Sequence, residues 1–84
     1  MNVFWLLGHI GLLIHCEQDV QGIVEHLIKK QESFPSKAEF VELLDDAAQI
    51  LGSGLLNIPD DTLKKFIDSI NGVKAQLQPV SAGA

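Results

Sequence analysis

The sequence has few of the residues that stabilise a small domain through covalent bonds, and little positive charge. Its 84 residues include one cysteine, Cys16, so no intramolecular disulfide can form. Six lysines face eleven acidic residues, and the formal net charge is −5. A balance of this sign repels a phosphate backbone. We therefore expect no disulfide framework and no nucleic-acid partner.

Motifs that signal catalysis are also missing. No serine stands in a Gly-x-Ser-x-Gly elbow, and the three histidines all lie in the first third of the chain, away from every serine. A chain of this length also offers few walls to enclose a ligand. We predict that the protein is not an enzyme, has no catalytic residue and takes no small-molecule substrate.

The same N-terminal third holds all the residue types that bind transition metals. The spacing of four between His15 and Asp19 puts both on one face of a helix. However, there is no HExxH motif and no CxxC pair, and one helix cannot surround a tetrahedral ion. We predict no metal and no cofactor, with His9 and His15 in a helix interface and His26 on the surface. The candidate ligands weighed are His9, His15, Cys16, Asp19 and His26.

One three-residue segment resembles a motif of a known family. Asp68-Ser69-Ile70 is similar to the Asp-Ser-Leu motif of acyl carrier proteins, whose serine carries a phosphopantetheine arm. In that family the motif opens a central helix after a long loop. In this chain it falls inside the last predicted helix, so we predict no carrier function for Ser69.

What the chain does contain is apolar side chains in helical spacing. It is 46% hydrophobic, which excludes a disordered acidic tail. Residues 3–31 lack proline and are rich in leucine and isoleucine, so we predict one long helix there. Its first half is apolar nearly all round, whereas the second half is amphipathic.

Two shorter amphipathic helices are predicted to follow within a single domain, 1–84. Ser36 and Glu39 form a capping box that opens a helix over 37–51, which Gly52-Ser53-Gly54 ends. A third helix is predicted over 59–71, continuing to 77 if Asn71-Gly72 does not stop it. Residues 78–84 should form a frayed tail. The fold class is therefore all-α, a three-helix arrangement with a long apolar N-terminal helix.

The apolar first half of helix 1 is the predicted functional surface. As a helix, Val3 to Ile14 is about 18 Å long, too short to cross a hydrocarbon core of roughly 30 Å. Two amphipathic helices should not cover it on all sides, so we expect an intermolecular contact. We also expect Ile10→Asp to dissociate the assembly and to leave the other helices folded. The predicted interface residues are Phe4, Trp5, Leu6, Leu7, Ile10, Leu13 and Ile14.

These features favour a small structural or interaction protein that self-associates or docks into a larger, virion-like assembly. The first alternative is a membrane-associated protein with helix 1 in lipid and Trp5 as an interfacial anchor. Against it, no lysine precedes Lys29, which removes electrostatic attraction to anionic lipid. The second alternative is a regulator that binds one protein target. A location inside the cell or within an assembly is favoured over secretion.

Overall fold

The structure is a computed structural model that describes residues 3–77. Over that range the chain is all-helical, with four α-helices and no strand. The predicted all-α class is therefore confirmed, but the three-helix arrangement is not. The predicted tail, residues 78–84, lies outside the described residues. The helices are α1 (Val3–His15), α2 (Val20–Gln31), α3 (Lys37–Gly52) and α4 (Asp60–Leu77).

The prediction of one long helix over 3–31 is wrong, because the chain turns between His15 and Val20. Glu17 adopts a left-handed backbone conformation with φ of 64°. The Glu17 N–H donates to the Ile14 carbonyl at 2.9 Å and the Gln18 N–H to the Leu13 carbonyl at 3.1 Å. This pair of bonds is a Schellman motif, which satisfies the last carbonyls of a helix.

Asp19 then opens the next helix. Its carboxylate accepts the Gly22 N–H at 2.7 Å, so it is the N-cap of α2. The break lets α1 fold back beside α3 and α4 rather than continue in line with α2. The apolar half of the predicted long helix thereby becomes part of the protein's own core.

The signals at the ends of α3 lie in the expected turns. Ser36 is the N-cap, and its Oγ accepts the Glu39 N–H at 3.2 Å. At the other end Gly54 takes a left-handed conformation, with φ of 76°, two residues after the helix ends. These caps fix both ends of the helix that packs against α1 and α4.

Asn71-Gly72 does not stop α4, which continues to Leu77. Gly72 instead lets α4 approach α2 closely. A Cβ built on Gly72 would lie 2.7 Å from Val24 Cγ2, nearer than real Cβ contacts allow. The glycine is therefore a packing residue between the two helices rather than a helix end.

All four helices contribute to one core. A single buried apolar cluster includes side chains from α1, α2, α3 and α4. Outside the core, Lys74 of α4 pairs with Asp45 of α3, and Lys64 bonds Asp68 at 2.9 Å along α4. The side chains with no exposure at all are Leu6, Ile10, Ile23, Leu27, Phe40, Leu44, Ala47, Ser69, Ile70 and Val73.

Candidate functional site

The inner face of α1 lies in the core of the same chain. Leu6 and Ile10 are 0% exposed and Leu7 is 6% exposed. These three residues cannot form the predicted intermolecular contact unless the bundle opens, so they are not part of the candidate site. The expectation failed because it assumed a continuous helix 1, whereas the turn at Glu17 brings α1 against two other helices.

The outer face of α1 is the part of this helix that the chain leaves uncovered. Phe4 is 60% exposed and Leu12 is 57% exposed. Gly8, midway between them, is also exposed, and apart from its chain neighbours and the backbone of α1 no heavy atom lies within 4 Å of the position of a Cβ there. Residues four apart lie on one side of a helix, so the three form a continuous row. We call Phe4, Gly8 and Leu12 the outer stripe.

The helix that carries the outer stripe, Val3–His15, has no acidic residue and no lysine. Three other predicted interface residues, Trp5, Leu13 and Ile14, are partly buried and pack against the core. The third large apolar side chain with high exposure, Leu55, lies in the α3–α4 connection and is 73% exposed. The outer stripe can therefore dock an apolar partner without burying a formal charge of its own helix.

A pair of histidines, His9 of α1 and His26 of α2, joins the two helices. His9 directly follows Gly8 of the outer stripe. His9 Nε2 and His26 Nε2 are 2.7 Å apart, a hydrogen bond in which one ring donates and the other accepts. The indole of Trp5 stacks on the His9 ring, with centroids 5.4 Å apart and an interplanar angle of 11°. Trp5 also contacts the Phe34 ring, which is tilted to it by 47°, with centroids 6.3 Å apart. The pair is therefore held in an aromatic environment.

This environment lowers the pKa of His9. The first cause is burial, which disfavours the charged ring, and the positive charges of His26 and Lys30 act in the same direction. Doubly protonated rings would place two donors face to face and break the bond. The hydrogen bond between the two rings therefore requires that at least one of them be neutral.

The other candidate ligands do not join this pair. His15 and Cys16 are exposed, so the prediction of His15 in a helix interface is wrong. His26 is half-buried rather than a surface residue. Asp19 is committed to capping α2. Among residues 3–77, no three His, Cys, Asp or Glu side chains are grouped as a metal site would require.

Ser69 is enclosed by the fold. It is 0% exposed, and its Oγ donates to the Lys65 carbonyl at 2.7 Å. A hydroxyl in this position cannot meet a modifying enzyme while the bundle is folded. The structure thus gives a physical reason against the carrier motif that the sequence resembles.

The described part of the chain has two surface hollows away from the histidine pair. One, of about 370 Å³, is lined by Ser33, Phe34, Pro35, Glu39 and Leu43. The other lies beside Val3 and Ile50. Neither is lined by a histidine or a cysteine. No helix within residues 3–77 has the length and apolarity needed to cross a bilayer.

The seven predicted interface residues include Phe4 but neither Gly8 nor Leu12. Their spacing of four from Phe4 to Gly8 to Leu12 was a usable signal. It was hidden because the whole segment is apolar, so that no polar residue marked the outer face. Comparisons of the chain with protein-family models, with curated proteins and with solved structures returned no match.

Proposed function

We propose that the protein is a structural or interaction protein that self-associates through the outer stripe of α1. The observation that carries this proposal is the exposure of Phe4 and Leu12, 60% and 57%, on one row of an uncharged helix. Covering a large apolar side chain contributes about 1.5–3 kcal/mol when its burial is complete. A partner that covers the outer stripe gains part of that amount for each side chain.

Charge supports a contact at α1 rather than elsewhere. The protein carries a net charge of −5, and the acidic residues Glu39, Glu42 and Asp46 are exposed on α3. Two copies that met through α3 would bring like charges together, which opposes association. Helix α1 has no formal charge between its ends, so copies meet there without that penalty.

The test is the molar mass by light scattering, without detergent, from about 10 µM to about 1 mM, the range in which contacts of this size associate. We expect the mass of the wild type to rise with concentration, and the mass of Leu12→Asp to stay that of a monomer. Leu55→Asp is the matched control, because Leu55 is also a leucine and is even more exposed, 73% against 57% for Leu12, but lies off α1. It should associate as the wild type does.

A wild type that stays monomeric throughout this range would overturn self-association. The same samples are then mixed with neutral lipid vesicles. Binding that Leu12→Asp abolishes and Leu55→Asp retains would assign the outer stripe to a membrane surface. A mass that rises equally in the wild type and in Leu12→Asp would place the contact on another surface.

A further inference from the structure

From the outer stripe we infer that the partner of α1 is the α1 helix of a second copy, packed antiparallel across Gly8 in a closed two-fold dimer. This inference rests on the proposed self-association and adds its orientation and stoichiometry. The carrying observation is the symmetry of the stripe. Phe4 precedes Gly8 by four residues and Leu12 follows it by four, and both side chains are large, apolar and exposed.

A two-fold axis through Gly8 makes this row complementary to itself. In an antiparallel pair, Phe4 of one copy lies opposite Leu12 of the other, and the same contact repeats on the far side of the axis. A parallel pair would instead place Phe4 against Phe4 and Leu12 against Leu12. Only the antiparallel pair gives two identical mixed contacts around one shared centre.

Gly8 supplies the close approach at that centre. The position of its Cβ is open, since apart from its chain neighbours and the backbone of its own helix no heavy atom lies within 4 Å. Glycine costs about 1 kcal/mol relative to alanine inside a helix, and the packing within one copy gives no reason for it here. Small residues at a helix crossing let two backbones come near each other.

Charges at the ends of α1 favour the same orientation. The first turn of α1 contains no acidic residue, so the positive end of its dipole has no carboxylate partner in that turn. Glu17 is exposed just beyond the other end. Antiparallel packing brings Glu17 of one copy toward the positive end of the other α1, whereas parallel packing brings the two Glu17 carboxylates together.

The extent of the contact predicts a reversible dimer. A helix of 13 residues is about 20 Å long. One face of it is smaller than the roughly 800 Å² that each partner contributes to a standard interface. Because the contact is isologous, it closes at two copies and leaves no second α1 surface for further growth.

Cysteine cross-linking in a Cys16→Ser background tests the orientation. Disulfides need Cα atoms about 4.4–6.8 Å apart. In the antiparallel dimer the reporting positions are Phe4 and Leu12, since a side chain at Gly8 would itself weaken the crossing. Phe4→Cys alone and Leu12→Cys alone should cross-link poorly, since equivalent positions are about 12 Å apart along the axis. A mixture of Phe4→Cys with Leu12→Cys should yield the mixed dimer.

The opposite pattern, in which Phe4→Cys and Leu12→Cys each cross-link with themselves as fast as the mixture does, would overturn the antiparallel orientation. If light scattering still shows a mass that Leu12→Asp lowers, the proposed self-association stands and only its geometry fails. A limiting mass above two copies would overturn the closed dimer.

Gly8→Ala gives a second measurement that needs no cysteine. Its methyl group fits the monomer and favours the helix, so the urea midpoint of the dilute monomer should rise. The same methyl group lies at the crossing, so dimerisation should weaken about tenfold or more. Gly52→Ala, at another open position, is the control and should leave dimerisation unchanged. Unchanged dimerisation in Gly8→Ala would contradict a crossing at Gly8.

Discussion

Among single residues, His9 links the stability of the bundle to pH. Its pKa is lowered by burial and by the nearby positive charges of His26 and Lys30. In the unfolded chain the pKa of this residue returns to about 6.5. Below that pH the unfolded state binds a proton that the folded state resists, so the free energy of unfolding falls as the pH falls. Above about pH 8 both states are neutral at His9 and the effect is absent.

We therefore expect the urea midpoint of the wild type to decrease between pH 7.5 and pH 5.5, a range above the titration of ordinary carboxylates. The measurement is urea unfolding followed by circular dichroism at low protein concentration. His9→Gln retains a side chain that can hydrogen-bond His26 but removes the titration, so its midpoint should vary less. His15→Gln is the control, because His15 is exposed. Equal pH dependence in His9→Gln and the wild type would argue against this origin.

Single residues also mark where the candidate site was and was not predictable. Phe4, Leu6 and Ile10 were all predicted to be interface residues from their apolarity alone. Phe4 is exposed, but Leu6 and Ile10 lie in the core. Apolarity around the whole circumference of α1 contains no information about which side faces the bundle. That choice depends on where α3 and α4 pack, which is set by residues distant in sequence.

At the scale of helices, the turn between α1 and α2 depends on a residue poorly suited to its backbone. Glu17 has φ of 64°, a conformation that costs an L-residue with a Cβ about 1–2 kcal/mol and costs glycine nothing. We expect Glu17→Gly to raise the free energy of unfolding by about 0.5–1 kcal/mol, after the greater flexibility of glycine in the unfolded chain is subtracted. Urea unfolding measures the change.

The matched control is Glu25→Gly, which replaces an exposed glutamate inside α2. There glycine should lower the free energy of unfolding by about 1 kcal/mol. A loss of stability in both variants would show that the left-handed turn does not limit the stability of the bundle.

The contact between α2 and α4 is the most sensitive to the size of one side chain. A methyl group on Gly72 would lie 2.7 Å from Val24 Cγ2, and a valine in a helix has few alternative rotamers. Gly72→Ala should therefore lower the free energy of unfolding by about 1–3 kcal/mol, although alanine is the better helix former. Gly52→Ala, for which there is open space where the new methyl group would lie, should not lower the free energy of unfolding. Thermal and urea unfolding of both variants measure this difference.

The helices that the sequence predicted well are those with local end signals. Ser36 caps α3 through a bond to a residue three positions away, and Gly54 lies in the turn that follows the helix. Glu17 gives no such signal, since a glutamate seldom adopts a left-handed conformation. For Gly72 the sequence left open whether the helix stops or continues to 77, and the packing of Val24 against it gives the glycine a role inside α4.

For the whole molecule, these local differences change the role of α1. A continuous helix over 3–31 would leave its apolar half outside a two-helix partner, and that half would be a separable docking arm. The turn at Glu17 instead makes α1 one of four packed helices, with an inner face in the core and an outer face in solvent. The stability of the fold and the proposed association therefore depend on opposite sides of one helix.

This separation predicts opposite outcomes for two aspartate substitutions two residues apart. Ile10 is 0% exposed, so Ile10→Asp removes a packed side chain and places an unpaired carboxylate in the core. Loss of a buried isoleucine costs about 2–5 kcal/mol and a buried unpaired charge adds several more, against a total stability of about 5–15 kcal/mol. We expect Ile10→Asp to lose the far-ultraviolet helical signal of all four helices rather than to release α1 alone.

Leu12→Asp, whose side chain points to solvent, should keep the helical signal and a cooperative thermal transition within a few degrees of that of the wild-type monomer. If Ile10→Asp retained three quarters of the helical signal with a cooperative transition, α1 would be a separable arm after all.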